Sequence, residues 1–146
     1  MKSFATLSLL VITLFFSSCD ETKKVIDVAG NVQLSGNYTV NSIEGNALSA
    51  IKPSLSFAAL SGRVSGDAGC NTYFADYSTN VNSLTIGEVA STKKACAKNI
   101  MQVENRFLET LANVGGYRIQ DNVLTLYAKN DQSVLITATK NQEDDN

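Results

Sequence analysis

The chain has 146 residues, of which 44% are hydrophobic and 18% are charged, and its formal net charge is −2. This size and composition suit one globular domain, and the small, mixed charge argues against a surface that binds a phosphate backbone. The chain contains no histidine, which excludes a Ser-His-Asp triad, a Cys-His pair and a His-containing zinc site within it. We therefore expect no catalytic residues, no metal, no cofactor and no nucleic-acid partner.

The N-terminal residues have the pattern of a bacterial export signal that ends in a lipidated cysteine. Lys2 precedes an apolar run over residues 4–16, which is shorter than the ~20 residues that a membrane-spanning helix needs. The following FSSC resembles a lipobox, although Phe16 stands where leucine is usual. We expect residues 1–18 to be a signal peptide and the acylated Cys19 to hold the protein on the bacterial cell envelope, at the outer membrane or the periplasmic face. The alternative is an ordinary signal peptide with a chance cysteine.

Residues 19–33 are polar and weakly periodic, which predicts a tether between the lipid and the folded domain. The domain itself is predicted over residues 34–139, and residues 140–146 are predicted to be a disordered, charged tail. Asp121 and Asn122 separate two apolar runs and predict a two-residue hairpin turn. Alternation of apolar and polar side chains predicts strands over residues 34–43, 54–58, 63–65, 73–77, 83–86, 117–120, 123–127 and 134–139.

The hydrophobic period changes over residues 99–114, where apolar residues recur at spacings of three and four. Asn99 is the predicted N-cap, and Gly115 and Gly116 are predicted to end the helix. The apolar face consists of Ile100, Val103, Phe107, Leu111 and Val114. Many short strands and one amphipathic helix predict a mainly β fold, a small antiparallel β-barrel-like sheet with the helix packed on it.

Four stretches of the domain carry motifs, reading SGDAGCNTYFADY, LTIGEVASTKKAC, ENRFLETL and YRIQDNVLTLY. In order and spacing they resemble the META, or HslJ-like, domain family over residues 34–138. Tyr38 stands where that family often has tryptophan. The resemblance implies a small barrel with one helix, in bacterial envelope proteins linked to stress and antibiotic tolerance, with no agreed enzymatic reaction. The motif positions are Gly69, Cys70 and Asn71 in GCN, and Ser91, Thr92 and Cys96 in ST-x-x-x-C.

Cys70 and Cys96 lie 26 residues apart, and a location outside the cytosol favours a disulfide between them. In the chain-entropy model such a bridge contributes about 3–4 kcal/mol to stability. The alternatives are two buried free thiols, or a redox-active or metal-binding pair. The absence of histidine and of a C-x-x-C motif weakens the last of these.

We expect a non-catalytic, membrane-anchored envelope protein that has a structural or binding role in envelope stress tolerance. The alternative is a binder of an apolar small molecule, held in the barrel interior by Tyr73, Phe74, Tyr77 and Tyr127. The membrane is the expected partner, through the N-terminal lipid. The sequence leaves open any partner protein or small molecule and the oligomeric state.

Overall fold

The computed structural model describes residues 30–142 of the chain. Residues 30–34 are helical and lead into the first strand. The strands are β1 (Gly36–Ile43), β2 (Asn46–Ala47), β3 (Ser54–Ala58), β4 (Arg63–Asp67), β5 (Thr72–Asn80), β6 (Ser83–Ile86), β7 (Ala90–Ser91), β8 (Val114–Gln120), β9 (Val123–Ala128) and β10 (Val134–Lys140), and helix α1 is Lys98–Ala112.

Eight of these strands form a closed antiparallel barrel in the order β1, β3, β4, β5, β6, β8, β9, β10. The barrel closes because β10 pairs with β1, from Tyr38 opposite Lys140 to Ile43 opposite Ile136. The two-residue strands β2 and β7 pair with β1 and β5 respectively. A closed sheet of this kind leaves few unpaired strand edges. The predicted fold class, a mainly β barrel with a packed helix, is confirmed.

Side chains fill the inside of the barrel because its strands alternate between inward and outward residues. Along β5, every second residue is buried, from Tyr73 to Thr79. Aromatic rings meet edge to face in this core, with centroids 5.1 Å apart for Phe57 and Tyr77 and 5.4 Å apart for Tyr73 and Phe107. The fully buried residues include Tyr38, Val40, Leu55, Val64, Leu84, Leu124, Leu126, Ile136 and Ala138.

Helix α1 covers one end of the barrel, which we call the upper end. Phe107 and Leu111 are completely buried against the barrel residues. Arg106 on the same helix donates to the Glu44 carboxylate, in the turn after β1, at 2.9 Å. This packing buries the apolar face of α1 in the core of the domain.

The helical residues 30–34 lie at the opposite end, which we call the lower end. Leu34 is completely buried, and its carbonyl oxygen accepts a hydrogen bond of 3.0 Å from the Tyr38 hydroxyl. Gly30 is also buried, and a Cβ there would approach the Thr79 side chain too closely. The turns at residues 59–62, 81–82 and 121–122 are at this same end, because β3, β5 and β8 all run toward it.

The bounds of the helix differ from the prediction at both ends. Helix α1 begins after Ala97 rather than at an Asn99 cap, and no side chain caps it. It ends at Ala112, and the glycines that follow belong to β8 rather than stopping the helix. Strand pairing takes over because the Lys129 N–H donates to the Asn113 carbonyl at 3.1 Å. A Cβ on Gly115 would lie 2.6 Å from the Lys129 Cα, so the glycine permits this close approach.

The folded domain extends beyond the predicted range of 34–139 at both ends. Residues 30–33, predicted as part of the tether, are helical. Lys140, predicted as the start of the tail, is the last residue of β10, and the Asn141 N–H donates to the Asn37 carbonyl at 2.8 Å. The predicted signal peptide, Cys19 and residues 143–146 lie outside the described residues.

Candidate functional site

The two sequence motifs meet at the upper end of the barrel. A disulfide joins Cys70 to Cys96, with their Cα atoms 6.1 Å apart. Cys70 lies in the connection between β4 and β5, and Cys96 lies just before α1. The predicted pairing is therefore confirmed, and it ties the barrel wall to the start of the helix. Gly69, next to Cys70, has a φ of 126°, a conformation that suits glycine.

Asn71 is at the centre of a hydrogen-bond network beside the disulfide, and it is only 2% exposed. Its amide oxygen accepts from the Thr92 hydroxyl and from the Lys94 N–H, both at 2.7 Å. Its amide nitrogen donates to the Lys94 carbonyl at 3.1 Å and to the Glu104 carboxylate at 2.6 Å. An asparagine amide has two donor hydrogens and an oxygen with two lone pairs, so this side chain is saturated. Ser91, the remaining motif residue, pairs with Tyr73 through β7.

Glu104 of α1 completes this network, and it is 3% exposed. Its carboxylate accepts from the backbone N–H groups of Cys70 at 3.0 Å and Asn71 at 2.7 Å. Burial by itself raises the pKa of Glu104, but the hydrogen bonds from Asn71 and Cys70 and the charge of Lys93 bring the pKa below its ordinary value of 4.5. The carboxylate is therefore ionised at neutral pH and engaged by internal donors. Such a group stabilises the fold and is poorly suited to proton transfer.

The predicted apolar face of the helix did not include Glu104, so the buried role of this residue was missed. A signal was present, since Glu104 lies four residues after Ile100 and three before Phe107. That spacing places it in the same stripe as the apolar residues. A charged residue in the buried stripe of a helix needs partners inside the domain.

The four aromatic residues of the predicted pocket do not line one cavity. Tyr73 and Tyr77 point into the packed core, where they are 2% and 6% exposed. Phe74 points outward between them, with the Arg63 guanidinium 5.2 Å from its ring centroid. Tyr127 lies on the outside of the barrel, in a groove described below. The period of two along β5 separates Tyr73 and Phe74 onto opposite faces.

Tyr77 carries a buried hydroxyl that has no hydrogen-bond partner in the described part of the chain. Burial, together with the neighbouring Tyr117 and Tyr38, raises the pKa of Tyr77 to about 12. The Tyr38 hydroxyl donates to the Leu34 carbonyl, and the Tyr117 hydroxyl donates to the Val81 carbonyl at 3.4 Å. Three tyrosine side chains thus converge near the lower end of the barrel, and the Tyr77 hydroxyl is the one without a partner among the described residues.

A groove of about 520 Å³ opens on the outer wall, where β6 meets β8. The pairing of these two strands is short, with Ser83 opposite Gly116. Four polar side chains that line the groove have no hydrogen-bond or ion-pair partner among residues 30–142, namely Asn82, Arg118, Tyr127 and Gln132. The volume falls in the range typical of small-molecule sites. This groove is therefore a candidate binding site, and its lining is more polar than the predicted apolar interior.

Neither a metal centre nor a membrane-spanning helix is found among residues 30–142. No three His, Cys, Asp or Glu side chains in this part of the chain are arranged to hold a metal ion. No helix within these residues has the length and apolar character needed to cross a bilayer.

Solved structures with the same fold include proteins from two bacteria. An NMR structure of a protein from Burkholderia xenovorans has a TM-score of 0.61 and 20% identity, covering 81% of this chain and 90% of that chain. A crystal structure of a DUF4847 family protein from Bacteroides vulgatus has a TM-score of 0.56 and 17% identity, covering 84% of this chain and 99% of that chain. At these sequence identities, the similarity shows a shared fold alone. No curated protein matches the chain.

The barrel, its covering helix and the two joined motifs agree with the family that the sequence resembles. The model of the META domain matches residues 31–141. This range begins within the helical residues at the lower end and ends one residue after β10. The chain therefore belongs to the META domain family.

Proposed function

We propose that this protein is a lipid-anchored, non-catalytic protein of the bacterial cell envelope, whose META domain has a structural or binding role under envelope stress. The observation that carries the non-catalytic role is the state of the motif residues. Asn71 and Glu104 use their polar atoms on one another and on the backbone, and Cys70 and Cys96 are joined. Because hydrogen bonds within the domain and the disulfide engage these motif residues, the motif holds the helix against the barrel.

The anchor is supported by the sequence pattern that ends at Cys19. Palmitate labelling of the expressed protein tests it, with the Cys19→Ala variant as the comparison. We expect label in the wild-type protein and none in the variant, because acylation needs the thiol of Cys19. A Cys70→Ser/Cys96→Ser variant is the matched control and retains the label. Equal labelling of the wild type and the Cys19→Ala variant would exclude the anchor.

The role under stress is tested with a deletion strain of the source bacterium. We expect greater sensitivity to heat, detergent and hydrophobic antibiotics, with rescue by the wild-type gene. Rescue by the Cys19→Ala gene should be weaker, since a freely diffusing domain is no longer held at the membrane. Unchanged sensitivity of the deletion strain under all three conditions would contradict the proposed role.

A second candidate function is the binding of a small anionic ligand in the groove between β6 and β8. The observation that favours it is the set of groove side chains that have no partner among residues 30–142, which includes a guanidinium, a phenol and two amides. Arg118 is suited to bind a carboxylate, and the Tyr127 ring offers a flat apolar face. The packed core makes the groove a better candidate than the barrel interior for any small molecule.

Titration of the protein with glucuronate, followed by NMR, tests this second function. Shifted amide signals should map to β8 and β9, and neutral glucose should bind more weakly because it lacks the carboxylate. Arg118→Ala should weaken binding by about 1.5–3 kcal/mol, the range for a hydrogen bond to a charged group. Arg63→Ala, on a different part of the barrel wall, is the control. Equal effects of the two variants would argue against a specific site.

A further inference from the structure

The lower end of the barrel exposes apolar side chains. Within residues 30–142, six large hydrophobic side chains are exposed, and four of them belong to the lower end. Leu60 and Val81 lie in two of its turns, Val32 lies in the helical residues, and Val123 begins β9 after the third turn. Leu60 is 105% exposed and Val81 is 65% exposed. Exposed apolar side chains gathered at one end of a domain are a feature of sites that contact a partner or a membrane.

The backbone at Val81 strengthens this observation. Val81 has a φ of 54°, in the left-handed region that a β-branched residue rarely adopts. Asparagine or glycine would fit that position at lower cost. Because the Val81 side chain is exposed, core packing does not offset the energetic cost of its backbone conformation. Valine at this turn therefore suggests a use for its apolar side chain outside the domain.

The short distance along the chain from Cys19 to the lower end points to the lipid bilayer as the partner of this surface. Gly30 is buried at the lower end, and it lies eleven residues after Cys19. Eleven residues span at most about 40 Å when fully extended. An acyl anchor on Cys19 therefore keeps the lower end within that distance of the bilayer. A short link of this kind gives a high effective concentration, so weak apolar contacts are sufficient.

We propose that the lower end of the barrel rests on the lipid surface, with Leu60 and Val81 inserted at the boundary between headgroups and acyl chains. This orientation rests on the proposed lipid anchor. The polar Asp121 and Asn122 at the third turn remain at headgroup level, which limits the contact to the surface of the bilayer. The upper end with helix α1 then remains open to other partners.

Tryptophan fluorescence tests this orientation, since the natural chain contains no tryptophan. The full lipidated protein is placed in phosphatidylcholine vesicles, with or without lipids brominated on their acyl chains. Leu60→Trp places the probe at the lower end, and Val134→Trp places it at an exposed apolar position at the start of β10, toward the upper end. We expect a blue shift and strong bromine quenching for the probe at position 60, and little change for the probe at position 134.

A second substitution tests the contribution of the strained turn. Val81→Asn, added to the Leu60→Trp protein, should reduce the quenching because it removes an apolar contact and relieves the backbone conformation. Val134→Asn in the same protein is the matched control and should leave the quenching unchanged. Equal loss of quenching in both would contradict a specific role for Val81 and overturn this contact.

Three outcomes would overturn the orientation. Equal or absent quenching at both probe positions, in protein that still sediments with the vesicles, would overturn it and leave the anchor intact. Failure of the wild-type protein to sediment with vesicles would overturn the anchor and the orientation together. A blue-shifted probe at position 60 in a dimer of the Cys19→Ala protein, measured without lipid, would assign the lower end to contact with a second copy.

Discussion

Asn71 and Tyr77 are both buried polar residues, but their side chains differ in whether they have hydrogen-bond partners. Every polar atom of the Asn71 side chain is paired, and its partners join the barrel to helix α1. The Tyr77 hydroxyl has no such partner among the described residues. A buried polar group without a partner loses its contacts with water and gains nothing in exchange. The two residues therefore make opposite contributions to the free energy of unfolding.

Removing the Tyr77 hydroxyl should raise stability. We expect Tyr77→Phe to stabilise the protein by about 1–2 kcal/mol, the penalty that an unpaired buried hydroxyl carries. Tyr73→Phe is the matched control, because the Tyr73 hydroxyl donates to the Ser54 carbonyl at 2.9 Å. That variant should lose about 1 kcal/mol, the typical net value of a hydrogen bond. Urea unfolding measures both, and a loss of stability in Tyr77→Phe would show that its hydroxyl has a partner.

Replacing the Glu104 carboxylate should be costly. Glu104→Gln brings an amide close to three donors that now point at the carboxylate, and we expect a loss of about 1.5–3 kcal/mol or more. Glu109→Gln, an exposed position on the same helix, should change stability by less than about 0.5 kcal/mol. Urea unfolding at neutral pH compares the two variants. Equal effects would mean that the network does not depend on the charge of Glu104.

The charge of Glu104 also gives stability a pH dependence with a defined sign. The pKa of Glu104 is lower in the folded protein than its ordinary value of 4.5, so the unfolded chain binds more protons in acid. Its contribution is therefore complete above pH 4.5 and disappears as the pH falls through the folded pKa. The stability difference between wild type and Glu104→Gln should shrink over that range. A difference that is constant with pH would contradict an ionised Glu104.

The elements of the upper end are held by tertiary contacts rather than by their own local signals. Helix α1 begins at Lys98, after Ala97, and no side chain in the described part of the chain caps it. The disulfide restrains the start of the helix in place of a cap, because it joins the segment just before α1 to the connection between β4 and β5. Helices of this length owe most of their stability in proteins to packing.

Loss of the disulfide should therefore weaken the domain substantially. For a loop of 26 residues, the chain-entropy model gives a loss of about 3–4 kcal/mol in the Cys70→Ser/Cys96→Ser variant. Urea midpoints measured with and without dithiothreitol test this. Reduction should lower the midpoint of the wild type and leave that of the double variant unchanged. Two free thiols in denatured, unreduced wild-type domain would contradict the bridge.

At the scale of the whole molecule, the barrel is covered at both ends. Helix α1 packs on the upper end, and residues 30–34 pack on the lower end, where Leu34 is completely buried. The interior between them is filled by side chains, in keeping with the size of an eight-stranded barrel. Binding of a small molecule would then take place on the outside, and the lower end is the part of the domain nearest to the proposed anchor.

Residues 30–34 should behave as part of the folded domain. We expect Leu34→Ala to cost about 2–5 kcal/mol, because it removes a buried side chain and leaves a cavity. Val32→Ala, in the same helical residues but 60% exposed, should change stability by less than about 0.5 kcal/mol. Urea unfolding of the two variants gives the comparison. Similar small effects in both variants would mean that these residues do not contribute to the folded domain.

Much of the barrel could be predicted because the relevant signals are local. The alternation along β5 and the Asp121-Asn122 turn depend on neighbouring residues, and both agree with the structure, where the two turn residues have φ values of 51° and 63°. The role of Glu104 could not be assigned in this way, since its partners lie more than thirty residues away. Likewise, whether Gly115 ends a helix or belongs to a strand depends on pairing with β9.

The amino-acid sequence by itself determined the fold class and the family resemblance and favoured a disulfide between Cys70 and Cys96, because period, turn residues and motif spacing are properties of short stretches of chain. Only the tertiary structure decided that the interior is packed, that Glu104 is buried and ionised, and that the exposed apolar turns share one end with Gly30. Each of these depends on which distant residues come into contact. Closure of the barrel by β10 and β1 brings those residues together.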